Sequence, residues 1–398
     1  MKLNNEQTKA VYQDNNHIFL LAGAGSGKTR VIIERIKYLL TKVKPSNILA
    51  ITFTVKSSIE MKKRLGNKDV NVYTFHGYCY HALSQGKKLN IFLNNDQYTE
   101  EEILAIQNYK NSLFQKAKPV IYVKYQKYLN DNELLDFDDL IIEALKIRHK
   151  KYKYIFIDEF QDTNLLQYEL IKKLNHAKCK IFAVGDPDQS IYKFRGAKVE
   201  IINQYIKDFN AEVLKLEENY RSKKEILTAS NELIKHNLNR FKKTLFTNNL
   251  NEGNVNIYYL KEEEQNNHIL NLIRKRTYKD IAILFRNHYQ VFELKKLLES
   301  HYIYHVNFYS FHESKGLEFD TVIIYGAEVM PYQKEGTYLQ EEEERRLLFV
   351  GMTRAKTNLL IYSKYKTKFL RETKIRPKWV WPLYLITFIK YDTCGCVV

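Results

Sequence analysis

Short apolar runs bounded by turn-forming residues alternate with helix-period segments along most of the chain, a pattern that predicts parallel α/β units. A first set of predicted strands covers 18–21, 48–53, 70–73, 154–157 and 181–184. A second set covers 213–216, 255–259, 281–285, 321–325 and 358–362. Between about 80 and 135 the pattern turns helical, charged and rich in Asn, Gln and Tyr, which predicts a helical insertion in the first α/β domain. No repeat of solenoid period is visible. The 398 residues, 44% of them hydrophobic, suffice for two or three domains with substantial cores. The apolar stretch 379–389 is too short for a membrane span and contains Pro382, so it predicts a packed C-terminal element. The polar start Met1-Lys2-Leu3-Asn4 lacks the apolar core of a signal sequence, and no membrane association is expected.

Charge adds a partner class without deciding it. The 63 Lys and Arg against 46 Asp and Glu give a formal +17, dispersed along the chain, which suits a polyanion. The same excess follows from a composition rich in Asn, Ile, Lys and Tyr, so specific motifs must choose. Cys79, Cys179, Cys394 and Cys396 show neither zinc nor iron–sulfur spacing, which predicts a reduced, intracellular protein.

The most specific chemistry follows the first predicted strand. In Ala22-Gly23-Ala24-Gly25-Ser26-Gly27-Lys28-Thr29, continued by Arg30 into a helix, three glycines let consecutive backbone N–H groups face phosphates. Lys28 is placed to reach the β/γ oxygens and Thr29 to hold Mg²⁺. This loop alone is compatible with kinases, GTPases, transporters and motors. Downstream, the strand 154–157 ends in Asp158-Glu159-Phe160-Gln161-Asp162, an acidic pair where a nucleotide-handling element belongs in a doubly wound sheet. Asp158 suits the Mg²⁺ shell and Glu159 the attacking water. In Gly185-Asp186-Pro187-Asp188-Gln189, the amide of Gln189 can sense a γ-phosphate. Tyr192, Phe194 and Arg195 follow closely, and there two aromatic faces and a cation could meet nucleobases and phosphate. Each aromatic alone is by default a core residue; the composite departs from chance.

Taken together these segments resemble, in order from Leu3 to about Lys356, a superfamily 1A helicase of the UvrD/Rep/PcrA family. Leu3-Asn4-Asn5-Glu6-Gln7 resembles the adenine-reading Q motif, with Gln7 on the base. The segment from Ala50 through Phe53, Thr54 and Lys56 resembles the first single-strand-binding motif, and Thr74-Phe75-His76-Gly77 the second. Asp136-Phe137-Asp138-Asp139-Leu140 matches the acidic-aromatic segment after the helical insertion. Glu217-Glu218-Asn219-Tyr220-Arg221 resembles motif IV, implying Tyr220 on adenine and Arg221 on the γ-phosphate. The run from Ser310 through His312 to Glu318 resembles motif V, implying His312 near DNA and Glu318 near the ribose. Motif VI ends in Thr353-Arg354-Ala355, with Arg354 the expected arginine finger.

The resemblance implies two RecA-like P-loop domains, 1–212 and 213–370, followed by a tail at 371–398. It also implies ATP and Mg²⁺ as cofactors, and 3′→5′ movement on single-stranded DNA and single/double-strand junctions in replication, repair or recombination. Relatives insert a 2B subdomain where this chain runs from 281–300 through 301–308 straight into motif V. Translocation is therefore the firmer expectation and duplex separation the weaker, with a protein partner able to replace 2B. Val55, Phe194 and Ser310 stand where the family usually has Asn, Trp and Thr. Two rival readings are a translocase that strips proteins without unwinding and a catalytically silent nucleic-acid-binding scaffold.

Overall fold

The computed structural model describes residues 2–13, 17–94, 97–275, 278–332 and 338–378. The predicted C-terminal element at 379–389, with Cys394 and Cys396, lies outside the described residues. The chain forms two compact units, one made of Met1–Tyr220 with Arg240–Leu245 and the other of Arg221–Asn239 with the chain from Phe246 onward.

Unit 1 is a six-stranded sheet of β1 (Ile18–Ala22), β2 (Ile48–Thr52), β3 (Asn71–Thr74), β4 (Tyr154–Ile157), β5 (Lys180–Gly185) and β6 (Glu212–Leu216). The order is β3-β2-β4-β5-β1-β6, and every pair is parallel. Parallel strands need helices on both faces, so their residues are buried on both sides. Phe19, Leu21, Leu49, Ile51, Ile155 and Ile157 enter one core cluster. Their neighbours Ile18, Leu20, Ile48, Ala50, Tyr154 and Phe156 enter the other. This period of two is why the sequence shows unbroken apolar runs. The helices are α1 (Asn5–Tyr12), α2 (Lys28–Leu40), α3 (Val55–Leu65), α4 (Phe75–Ser84), α5 (Glu100–Asn111), α6 (Tyr122–Asp131), α7 (Phe137–Ala144), α8 (Leu165–Leu174) and α9 (Glu200–Asp208). In the inserted segment α5 and α6 enclose a small core of Phe92, Tyr98, Ile106, Tyr125 and Leu129. Lys110, fully buried, binds Asp136 and Asp139 at the start of α7 at 2.8 and 2.6 Å, which ties this insertion to the sheet domain.

Unit 2 holds a five-stranded sheet of β7 (Asn254–Tyr259), β8 (Ile281–Phe285), β9 (Asn307–Ser310), β10 (Phe319–Ile324) and β11 (Ala355–Ser363). Its order is β7-β11-β10-β8-β9, again all parallel. Its helices are α10 (Lys224–Ile234), α11 (Glu262–Arg274), α12 (Phe292–Ser300), α13 (Tyr338–Met352) and α14 (Lys368–Glu372). Only a short 3₁₀ turn and α12 separate β8 from its neighbour β9, so no subdomain is inserted there.

Three sequence expectations need correction. The run at 213–216 belongs to the first sheet, not the second: β6 pairs with β1 from Ile18↔Glu212 to Ala22↔Leu216. As an edge strand β6 alternates buried and exposed positions, unlike the interior strands. The first unit accordingly runs past 212 to Tyr220 and adds 240–245. Strand β9, absent from the predicted strands, takes up only the end of the stretch at 301–308 and runs into the motif V match at Ser310. A tail does not begin at 371, because α14 continues to Glu372 and Pro377 bridges to Ile257.

Candidate nucleotide site and nucleic-acid surface

In unit 1 the glycine-rich loop, the Asp158–Glu159 pair, the Gln189 segment and the Phe53 and Thr74 segments follow the carboxyl ends of sheet strands, where ligands bind in open α/β sheets, whereas Gln7 lies in α1 and Asp136–Leu140 at the start of α7. The glycine-rich loop follows β1 and leads into α2, whose N-cap is Gly27 at φ 83°. Glycine tolerates this left-handed conformation, and having no side chain it leaves the first-turn amides of α2 without a side-chain cap. The loop is braced from below. Gly23 N donates to Leu216 O (3.0 Å), Asn219 Nδ2 to Ala24 O (2.6 Å) and Tyr220 N to Gly25 O (2.9 Å). Ser26 Oγ closes the turn on Gly23 O at 2.8 Å.

Gln7 is 1% exposed. Its amide accepts from Asn4 N at 3.2 Å in the capping box of α1 and donates to Ser26 O at 3.0 Å. The residue assigned to adenine therefore also locks α1 onto the phosphate loop. Tyr220, the other expected adenine contact, is exposed, and its hydroxyl donates to Glu218 Oε2 at 2.8 Å.

Asp158 and Glu159 follow β4. Lys28 Nζ lies 3.5 Å from Glu159 Oε2, and Gln161 Nε2 donates to the same oxygen at 2.6 Å. Glu159 sits at φ 51°, a left-handed conformation that costs a non-glycine residue roughly 1–3 kcal/mol and is typical of functional sites. Burial, reinforced by the Glu159 carboxylate and opposed by Lys28, pushes the Asp158 carboxyl up to about 7. Its folded value thus exceeds the unfolded 3.8, so the stability it contributes is present at low pH and lost as pH rises through about 7. Asp158→Asn, which mimics the protonated acid, is expected to stabilise the ligand-free protein at pH 8 by about 1–3 kcal/mol, the usual penalty of a poorly compensated buried polar group. The gain should fade towards pH 4 in thermal melts; an Asn variant no more stable than the parent at pH 8 would contradict the assignment.

Gln161 connects this acidic pair to the strand beside it, since its Oε1 accepts from Asp186 N at 2.8 Å. Gln189 Nε2 in turn donates to Asp186 Oδ2 at 2.5 Å. Gln161, Asn219 and Asp186 carry no role in the sequence reading. Their contribution is positional, and it is visible only once β1, β4, β5 and β6 are adjacent.

The expected nucleic-acid residues of unit 1 lie on the same carboxyl edge. The rings of Phe53 and Tyr192 stack at 5.4 Å and 19°, and Phe194, 46% exposed, meets Tyr192 edge-on at 6.0 Å. Phe53 and Tyr192 are half-buried. Thr54 and Thr74 cap α3 and α4, accepting from Ser57 N and Gly77 N at 3.1 Å each. Lys56 is exposed in the first turn of α3. Burial, against the pull of Asp136, lowers His76 to about 4, so it is neutral at pH 7; its ring lies 5.2 Å from Phe137. The side chain of Arg195 lies outside the described residues.

In unit 2 the structure brings Arg221, Glu318 and Arg354 together at the amino end of β10. Arg221 Nε donates to Glu318 Oε2 (2.8 Å) and Nη1 to Thr353 O (3.2 Å), while Lys356 Nζ lies 3.0 Å from Glu318 Oε1. Burial disfavours the Glu318 carboxylate, but Arg221 and Lys356 outweigh it and hold the group below its usual range. Arg354 is 2% exposed, with its guanidinium donating to Val350 O, Leu317 O and Thr353 Oγ1. His312 follows the carboxyl end of β9, an edge strand of that sheet, and so does not join the cluster at the amino end of the central strand β10. Among the described residues no group of three His, Cys, Asp or Glu side chains could hold a metal, and no helix is long and apolar enough to cross a membrane.

Comparison with known proteins agrees with this geometry. Residues 3–120 and 87–210 match the UvrD/REP helicase N-terminal domain, and 214–308 and 299–366 match the UvrD-like helicase C-terminal domain. Over 353 residues the chain is 38% identical to the ATP-dependent DNA helicase PcrA of Bacillus subtilis (strain 168), covering 72% of this chain and 48% of that protein. PcrA of Staphylococcus aureus (strain Mu50) is 36% identical over 351 residues with the same coverage, and so is that of Staphylococcus epidermidis. The chain thus spans about half the length of these relatives. With both domain matches in chain order and the motif residues assembled at the sheet edges, the chain belongs to the UvrD/REP helicase family.

Proposed function

We propose that this chain is an ATP-driven single-stranded DNA translocase and helicase moving 3′→5′. The observation that carries this reading is the convergence, on one edge of the unit 1 sheet, of a phosphate loop, the Asp158–Glu159 pair, Gln189 and the Phe53–Tyr192–Phe194 ledge. The uncapped start of α2 and Lys28 suit the β- and γ-phosphates of ATP. Thr29 and Asp158 suit Mg²⁺, which neutralises phosphate charge when bound and takes few protein ligands. Glu159 orients the attacking water and takes its proton. Gln189 reads the γ-phosphate, and the motif resemblance assigns to Arg221 and Arg354 of unit 2 the positive charge that phosphoryl transfer needs. The aromatic ledge binds bases by stacking, which tolerates any sequence.

Steady-state ATP hydrolysis with and without oligo-dT tests the reading. Strong stimulation that Lys28→Ala abolishes supports it; hydrolysis that no single strand stimulates overturns the DNA-coupled motor. The short connection from β8 to β9 favours a second reading, a translocase that displaces proteins without separating duplex. Fork unwinding measured beside protein displacement separates the two. Phe194→Ala is expected to weaken oligo-dT binding by about 1–3 kcal/mol, the value of one base–aromatic stack. Unchanged affinity in a titration of the folded variant would assign Phe194 to packing.

A further inference from the structure

Residues 240–245 belong to unit 1, although the chain on both sides of them belongs to unit 2. The segment is anchored at every second residue. Phe241 packs on the unit 1 core with its ring 6.1 Å from Phe19, Lys243 is buried, and Leu245 is buried against Gly23, where any side chain at Gly23 would collide with it. Between these, Lys242 and Thr244 are exposed. Thr244 N donates to Glu217 Oε1 (2.7 Å), and Lys242 O accepts from Lys215 Nζ (3.0 Å), which fastens the strap along β6.

Its charged residues reach the loop after β5. Lys243 Nζ lies 2.6 Å from Asp186 Oδ1 and also pairs with Asp188, all three side chains being essentially inaccessible. Arg240 grips Asp188 through Nε (3.1 Å) and Nη2 (2.7 Å). The cluster is two carboxylates against two cations, so it is neutral. Burial alone would lower Lys243 and raise Asp188, yet their pairing reverses both shifts and keeps both groups charged. The other oxygen of Asp186 accepts from the Gln189 amide at 2.5 Å. An unbroken chain of contacts thus runs from the strap through Asp186 to the residue read as the γ-phosphate sensor.

We propose that Lys243 is a positioning residue for ATP hydrolysis: it fixes the Asp186 carboxylate, which sets the orientation of the Gln189 amide. The proposal rests on the ATPase reading above. A positioning residue acts only through its partner, so its loss must be non-additive with loss of that partner.

The test compares the full chain with Lys243→Met, Gln189→Ala and the double variant. It measures oligo-dT-stimulated ATP hydrolysis and equilibrium binding of a fluorescent, non-hydrolysable ATP analogue. Lys243→Met is expected to lower kcat about tenfold or more, leave KM and analogue affinity within about threefold, and add no more than about twofold to the kcat loss of Gln189→Ala. Multiplying losses in the double variant, an unchanged kcat, or a parallel collapse of analogue binding each overturn it. If Lys243→Met does not fold, Lys243→Met/Asp188→Asn keeps the cluster neutral and is read against Asp188→Asn alone, with the same expectation in the Gln189→Ala background. A parent without ATP hydrolysis defeats the ATPase reading and this proposal with it. A hydrolysing parent matched by Lys243→Met defeats only the proposal.

Discussion

Glu159→Gln is expected to lower the ATP hydrolysis rate about 10²–10⁴-fold, the span associated with a positioned general base, while ATP binding persists. The carboxylate is poised for that role by three features. It leaves β4 in a left-handed turn that aims it back over the phosphate loop, Gln161 holds one oxygen at 2.6 Å, and Lys28 balances its charge at 3.5 Å. The Gln variant keeps the size and the acceptor oxygen, so the turn and the contact with Gln161 can persist. It loses the ability to take a proton. It also removes one negative charge from beside the site of a polyanionic substrate, so ATP affinity should hold or rise. Single-turnover hydrolysis beside equilibrium nucleotide binding checks both halves. Hydrolysis within about threefold of the parent would remove Glu159 from the role of base.

The contrast between what the sequence made legible and what it hid follows from the range of the interactions. The phosphate loop, the acidic pair and the interior strands were readable because each is specified locally: glycines at positions needing φ > 0 or an uncapped helix start, and unbroken apolar runs for strands buried on both faces. Strand β6 was assigned to the wrong sheet because an edge strand carries a weak alternating pattern, and nothing local tells which sheet it joins. The strap at 240–245 escaped because Lys242 and Lys243 look like any other lysines of a basic chain. Only the alternation of Phe241, Lys243 and Leu245 hinted at an extended segment with one buried face. Gln7 shows the limit of motif transfer. The match names a base-reading residue, whereas packing shows an amide engaged with Asn4 and Ser26. Arg354 is similar: its motif implies a finger, and its burial adds that Arg354→Ala would free the carbonyls of Val350 and Leu317. Any loss of hydrolysis in that variant therefore needs a thermal melt beside it before it is read as chemistry.

Lys28→Ala is expected to reduce ATP hydrolysis by at least about 10²–10³-fold, comparable to removing a preorganised group that stabilises transition-state charge. Unlike Glu159→Gln, it should also weaken ATP binding, because a cation beside the phosphates acts in the bound state as well as during transfer. A second consequence follows from the ligand-free geometry. Lys28 opposes the burial that raises Asp158 and pairs with Glu159 at 3.5 Å, so its loss removes a cation that favours both carboxylates. Asp158 must then hold its proton to still higher pH. If Asp158 holds Mg²⁺ through its carboxylate, as proposed, metal-dependent nucleotide binding by Lys28→Ala should recover partly as pH is raised from 7 to 9, while hydrolysis does not. Lys28→Arg separates the two functions: it restores the charge felt by Asp158 but presents a planar fork where a compact ammonium belongs. Its nucleotide binding should follow the parent's pH profile while its hydrolysis stays low. If both variants instead lost binding equally at every pH, Lys28 would act only as a phosphate ligand, and its influence on the acidic pair would carry no functional weight.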